Sequence, residues 1–240
     1  MALNEPIDTT EIPGSPGSSI HWFEDFPGRA ATKDAWLAAI RRMPSAHLAF
    51  VCPVIVARMV PPRVTTHGAT YGPTWRTVWS SEGAVGQTNV SADFIGGLVA
   101  SNTLNRLVGI PVDKASDAQA SCFTLLHELG HSVSHSQSLI PAGATALDLP
   151  GVHYPRSPGN VHELAVEAYS RWVLRQTNIV WNAATRAAFQ TAHPEVGRNP
   201  GESVIPVGEV DRRYEAICRA TLLRSPALRM IGPGALGGSR

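Results

Sequence analysis

The sequence predicts an α+β fold with a small sheet in its N-terminal half and a mostly helical C-terminal half. Three observations carry this expectation. Short β-branched apolar runs, bounded by Pro and Gly, gather between residues 47 and 91. From residue 94 onward, apolar residues recur at spacings of three and four, the period of a helix with one buried face. One helix, a few strands and then mainly helices is the order of an α+β chain with segregated strands. The 240 residues suit a single domain with a sizeable core.

Residues 1–20 are rich in Pro, Gly, Ser and Thr and read as a flexible arm. "TKDAWLAAIRRM" has helical spacing, with Thr32 as N-cap and an end before Pro44. "HLAFVCPVIVARMV" reads as a buried strand stopped by Pro61 and Pro62. "TWRTVWSS" and "GAVGQTNVS" read as two more strands around Glu82 and Gly83. "FIGGLVASNTLNRLV" reads as a helix, and another runs from about Ser116 to about His135. Residues 137–159 form a Pro- and Gly-containing loop, long enough to expect a functional role. "NVHELAVEAYSRWVLRQT" is a helix with Asn160 as N-cap and Glu163 at the third helical position. Two further helices follow, and residues 229–240 read as a loose tail, leaving 21–228 as the folded domain.

Composition excludes several function classes. A formal net charge of +1 is not the basic footprint of a nucleic-acid binder. No apolar run is long enough for a transmembrane helix. The first residues lack the basic and apolar regions of a Sec-type signal peptide, so the expected location is cytoplasmic, or outside by another export route. The three cysteines, Cys52, Cys122 and Cys218, form no CxxC pair and read as ordinary thiols.

The chemistry-bearing stretch is "SCFTLLHELGHSVSH". His127-Glu128-Leu129-Gly130-His131 is an HExxH pattern. Histidines four apart share one face of a helix and can hold one zinc ion, with the glutamate placed as general base toward a zinc-activated water. Phe123, Leu126, Leu129 and Val133 give the same helix an apolar face. The competing reading is a core helix with two satisfied histidines.

Catalytic zinc takes three protein ligands and keeps one position open. His135 lies eight residues beyond His127, about 12 Å along a straight helix, too far for a shared ion. It is expected as a neighbour of the site. The better candidates are Glu163 and Glu167, four apart amid apolar residues. One could bind zinc, Glu163 being preferred, while the other accepts the second N–H of a ligating imidazole. His153 and Tyr154, with Arg156 nearby, lie between the two helices; Tyr154 or His153 is the choice for a donor to a developing oxyanion.

"LLHELGHSVSH" followed by "HELAVEAY" resembles the zincin metallopeptidases whose third ligand is a glutamate on a second helix. More narrowly, it is similar to metallopeptidase domains of phage and plasmid polyvalent proteins and of plasmid anti-restriction proteins. The similarity covers roughly residues 75–178, and His162 stands where those proteins have the first of two glutamates. The resemblance implies a zincin-like fold, a zinc cofactor, and hydrolysis of a protein or peptide substrate. It implies an effector or toxin, or a processing protease of a mobile element; a toxin would bring an immunity or inhibitor protein as partner. It also implies an edge strand that aligns the substrate backbone, expected within residues 76–91. A non-catalytic zinc-binding regulatory module is the alternative. No segment resembles the single-stranded-DNA-binding domain of the anti-restriction proteins, so neither nucleic acid nor membrane is an expected partner.

Overall fold

The computed structural model describes residues 5–61, 68–76, 89–139, 161–174 and 183–192. Within them the chain is a mixed α+β fold built on a five-stranded sheet. The strands are β1 (Asp8–Glu11), β2 (Ser19–Trp22), β3 (Val54–Ala57), β4 (Ala69–Tyr71) and β5 (Leu107–Pro111). The helices are α1 (Arg29–Ile40), α2 (Ser45–Leu48), α3 (Ala92–Ser101), α4 (Val112–Ala115), α5 (Ala118–Ser134), α6 (Val161–Val173) and α7 (Ala183–Ala192).

The sheet order is β1-β2-β3-β5-β4. β2, β3 and β5 run parallel, and β1 and β4 are antiparallel to their neighbours. The two central strands, "VIVA" and "LVGIP", are buried at every position. Continuous apolar runs are what a parallel strand covered on both faces requires. Alternate side chains divide between two cores. Val54, Val56, Val108 and Ile110 join Trp22, Trp36, Phe123, Leu126 and Val166 on the face carrying α1, α5 and α6. Ile55, Ala57 and Leu107 join Ile95 and Val99 of α3 on the other.

Three expectations are corrected. The segment read as a flexible arm contains β1 and the start of β2. Its Pro, Gly and Ser residues make the turn between them, with Gly14 and Gly17 at φ of +79° and +81°. Only tertiary partners show why "SIHW" is a strand: Trp22 stacks on Trp36 with ring centroids 5.3 Å apart. Second, α3 stops at Ser101, and the rest of the segment read as one helix is a turn over 102–106 that leads into β5. Asn102 makes the break, its side-chain amide donating to Leu98 O at 2.7 Å and to Arg106 O at 3.0 Å. Third, Thr32 lies inside α1, which begins after Gly28 at φ +88°. The Thr32 hydroxyl donates instead to Ala115 O at 3.0 Å.

Most of the two strands read between 74 and 91 lies outside the described residues, but Trp75 and Arg76 are helical. Asn160 and the tail also lie outside them. Among the described residues, no helix is long and apolar enough to cross a membrane.

Candidate metal centre

α5 is the scaffold of the site. Asp117 caps its N-terminus, accepting from the backbone N–H groups of Gln119 and Ala120 at 3.2 and 3.1 Å. Residues Ala120–Gly130 are all buried. Trp36 Nε1 donates to Ser121 Oγ at 2.8 Å, and Ser132 Oγ donates to Phe50 O at 2.8 Å, so both halves of the helix are tied to their neighbours. His127 and His131, one turn apart, bring their Nε2 atoms to 3.2 Å.

α6 supplies the third group. Glu163 Oε2 lies 3.1 Å from His127 Nε2 and 3.4 Å from His131 Nε2. These three residues form a group able to hold a metal ion, with donor atoms from two helices converging on one point. Gly130 permits the convergence. A Cβ there would stand 2.9 Å from Val166 Cγ1 and 3.3 Å from Tyr169 Cδ1, so α6 approaches α5 where the side chain is absent.

The electrostatics are those of an imidazole pair facing carboxylates. Burial works to lower the His127 pKa, but the hydrogen bond to Glu163 and the charges of Glu128, Glu167 and Glu163 outweigh it and leave it raised. Burial works to raise the Glu163 pKa, yet its hydrogen bonds with His127 and His131 and their charges hold it well below the usual carboxylate range.

Glu167 sits on the opposite side of His127, with Oε2 3.8 Å from Nδ1. Its carboxylate is fully buried, and Arg171, one turn further along α6, donates to Oε1 from Nε at 2.9 Å and from a terminal nitrogen at 2.7 Å. The Arg171 guanidinium also lies over the Phe123 ring, 5.4 Å from its centroid. The order along this line is Arg171, Glu167, His127, then Glu163.

Glu128 faces the other way, toward the edge of the sheet. Thr70 of β4 places its hydroxyl 2.9 Å from Glu128 Oε2 and 2.8 Å from Glu128 O. A Cβ on Gly68 would stand 2.7 Å from Glu128 Cγ, so the glutamate lies directly against the strand backbone. Glu128 is thus outside the three-donor group, buried, and held by an element 58 residues earlier in the chain.

Of the residues singled out from sequence, His127, His131 and Glu163 come together, and Glu128 and Glu167 flank them from opposite sides. His135 follows α5 as its C-cap, exposed and outside the group. His153, Tyr154 and Arg156 lie outside the described residues, as does Cys218. Cys52 and Cys122 are buried, and burial pushes their thiols up to about 11 and about 12, which leaves them unreactive. Thr70, Gly68 and Arg171 were not found from sequence. Arg171 carried a usable signal, because an arginine four residues after a glutamate in an apolar helix is placed to neutralise it. Thr70 and Gly68 carried none, since only the sheet brings them to Glu128. No family model, curated protein or solved structure matches the chain.

Proposed function

We propose that the protein is a zinc-dependent endopeptidase of the zincin type, with His127, His131 and Glu163 as metal ligands and Glu128 as general base. The observation that carries this reading is the donor triangle. Its edges are 3.2, 3.1 and 3.4 Å. Three vertices of a tetrahedron with ligand bonds of about 2.0–2.2 Å are separated by about 3.3–3.6 Å. Two neutral imidazoles and one carboxylate are also a donor set typical of catalytic zinc.

Zinc, when bound, supplies a Lewis acid and acidifies water toward neutrality. The chain's own residues supply the rest. The Glu128 carboxylate is free of the ligand triangle and is oriented by the Thr70 hydroxyl, so it can accept a proton and pass it on. Glu167, paired with Arg171, stands 3.8 Å from the Nδ1 side of His127, where its charge can orient the ring. β4 is the last strand of the sheet, and among the described residues no strand covers its outer side. An extended peptide laid along that edge would pass beside Glu128. On this reading β4, at 69–71, can serve as the substrate-aligning strand; residues 77–88 of the segment expected for it lie outside the described residues. A processing protease or an effector acting on few targets is the biological setting this reading favours.

The test is zinc content of purified wild type, Glu128→Gln and His131→Ala. About one zinc per chain in the first two and strong loss in the third is the expected result. Peptide hydrolysis by wild type but not by zinc-loaded Glu128→Gln would then separate an enzyme from a binding module. A wild-type protein that takes up no zinc at neutral pH would end the reading.

A further inference from the structure

The face of β4 that meets Glu128 continues past it. Gly68, Thr70 and Gly72 alternate onto one side of the chain, as strand geometry requires. The first two touch Glu128. At the third, a Cβ would stand 3.6 Å from Nη1 of Arg106. β4 and β5 pair Thr70 with Val108 and Tyr71 with Leu107, so the next opposed positions are Gly72 and Arg106. The Arg106 guanidinium therefore lies on the same face as the Glu128 carboxylate, two residues further along the edge strand, or about 7 Å.

Arg106 differs from the other site cations. Arg171 is matched to Glu167, and Arg58 and Arg29 at the surface have their own carboxylates. Among the described residues, the partly buried Arg106 side chain has no carboxylate and no hydrogen-bond acceptor; only its backbone groups are bonded, both to Asn102. Burial first, and then the charges of Arg106, His131 and His162, lower the His135 pKa, which places Arg106 within electrostatic reach of the imidazoles at the end of α5. A partly desolvated guanidinium that makes no ion pair among the described residues, on the same face as Glu128, can receive a carboxylate brought by a ligand.

We infer that Arg106 is a specificity-determining residue of this cleft, and that the substrate presents a carboxylate to it next to the scissile bond. The inference rests on the peptidase reading of the site. The carboxylate is either an Asp or Glu side chain or the C-terminus of a peptide, and the two sources are separable.

The probes are fluorescent hexapeptide pools of otherwise random sequence: one with Glu fixed at an internal position, one with Gln there, each as free acid and as C-terminal amide. Binding to zinc-loaded Glu128→Gln protein is read by fluorescence anisotropy, with Arg106 intact and as Arg106→Gln. The expected result is about tenfold tighter binding of one carboxylate-bearing pool over its neutral counterpart, falling to near parity in Arg106→Gln. A preference that follows Glu over Gln identifies a side-chain carboxylate; one that follows acid over amide identifies the terminus. Arg106→Lys should keep part of it. Equal binding of all pools, no binding by any, or a preference unchanged in Arg106→Gln would overturn the inference; the last would mean that the carboxylate goes to the metal. Zinc content of each preparation is measured in parallel. A chain without zinc that still shows the Arg106-dependent preference would refute the peptidase and uphold the carboxylate receptor.

Discussion

Gly130→Ala is the substitution that most directly tests how the fold brings the candidate metal donors together. Gly130 lies inside α5, where alanine is favoured over glycine by about 1 kcal/mol from helix propensity alone. Packing opposes this gain. The new methyl would stand 2.9 Å from Val166 Cγ1 and 3.3 Å from Tyr169 Cδ1. Neither neighbour can yield cheaply. Val166 is fully buried, and a helical valine has one strongly preferred rotamer. Tyr169 is also fully buried, and its hydroxyl shares a 2.8 Å hydrogen bond with His47 Nδ1. α6 must move outward, and overpacking of this kind costs about 1–3 kcal/mol. The sum is a net loss of up to about 2 kcal/mol, or a fall in Tm of up to about 8 °C for a chain of this length. The same movement carries Glu163 away from His127 and His131. Metal sites tolerate about 0.2 Å in ligand distance, so zinc affinity should fall about 10- to 100-fold, as for losses of ligand support. Urea unfolding of metal-free protein and zinc competition against a chromophoric chelator read the two effects. A Gly130→Ala protein about 1 kcal/mol more stable than wild type, with unchanged zinc affinity, would refute the close-approach argument.

Other perturbations separate the parts of the site. Thr70→Val should cost about 1–2 kcal/mol in urea unfolding, by removing a hydrogen bond to a buried carboxylate, yet leave zinc stoichiometry at the wild-type value; Thr70→Ser should restore most of the loss. Arg171→Met should destabilise by about 3–5 kcal/mol, since it leaves the Glu167 carboxylate buried without its cation, and adding Glu167→Gln should recover part of it in the same assay. In metal-free protein, the raised His127 pKa contributes stability that is complete below 6.5 and is lost as pH rises through the folded value. The depressed Glu163 pKa contributes stability that is complete above 4.5 and is lost as pH falls through the folded value. Thermal unfolding against pH should therefore peak between those limits in metal-free wild type, and the alkaline limb should flatten in His127→Gln.

Legibility in the sequence tracked how local the physics is. The helix that carries His127 and His131 could be read because HELGH sits in a continuous apolar period and its consequences run four residues at a time. Glu163 and Glu167 could be read for the same reason. The strands of the sheet were harder. "LVGIP" follows α3 with no Pro or Gly between, and its strand character comes from lying between β3 and β4 inside a mixed sheet rather than from its own ends. β1 and β2 were hidden by their turn, whose composition is that of a linker. What holds Glu128 was not legible, because register across the sheet sets it: Thr70 reaches the glutamate only because β4 lies antiparallel beside β5 and against α5.

That difference in origin has a mechanical consequence. The three donors that could hold a metal ion belong to the helix pair α5–α6, whereas the partner of Glu128 belongs to β4. On the proposed reading, base and metal donors are anchored on different elements, so substitutions on the sheet edge should disturb Glu128 without disturbing the donor group, and substitutions at the helix contact should do the reverse. The double variant Thr70→Val/Gly130→Ala is a direct measure of this. The changes meet no common side chain, since Gly130 faces Val166 and Tyr169 while Thr70 faces Glu128. Distant, independent changes add within about 0.5 kcal/mol. Additivity in urea unfolding is expected, with the zinc affinity of the double variant equal to that of Gly130→Ala alone. Coupling well beyond that margin would mean that α5 transmits strain from the sheet edge to the ligands, and that base and metal are positioned as one unit.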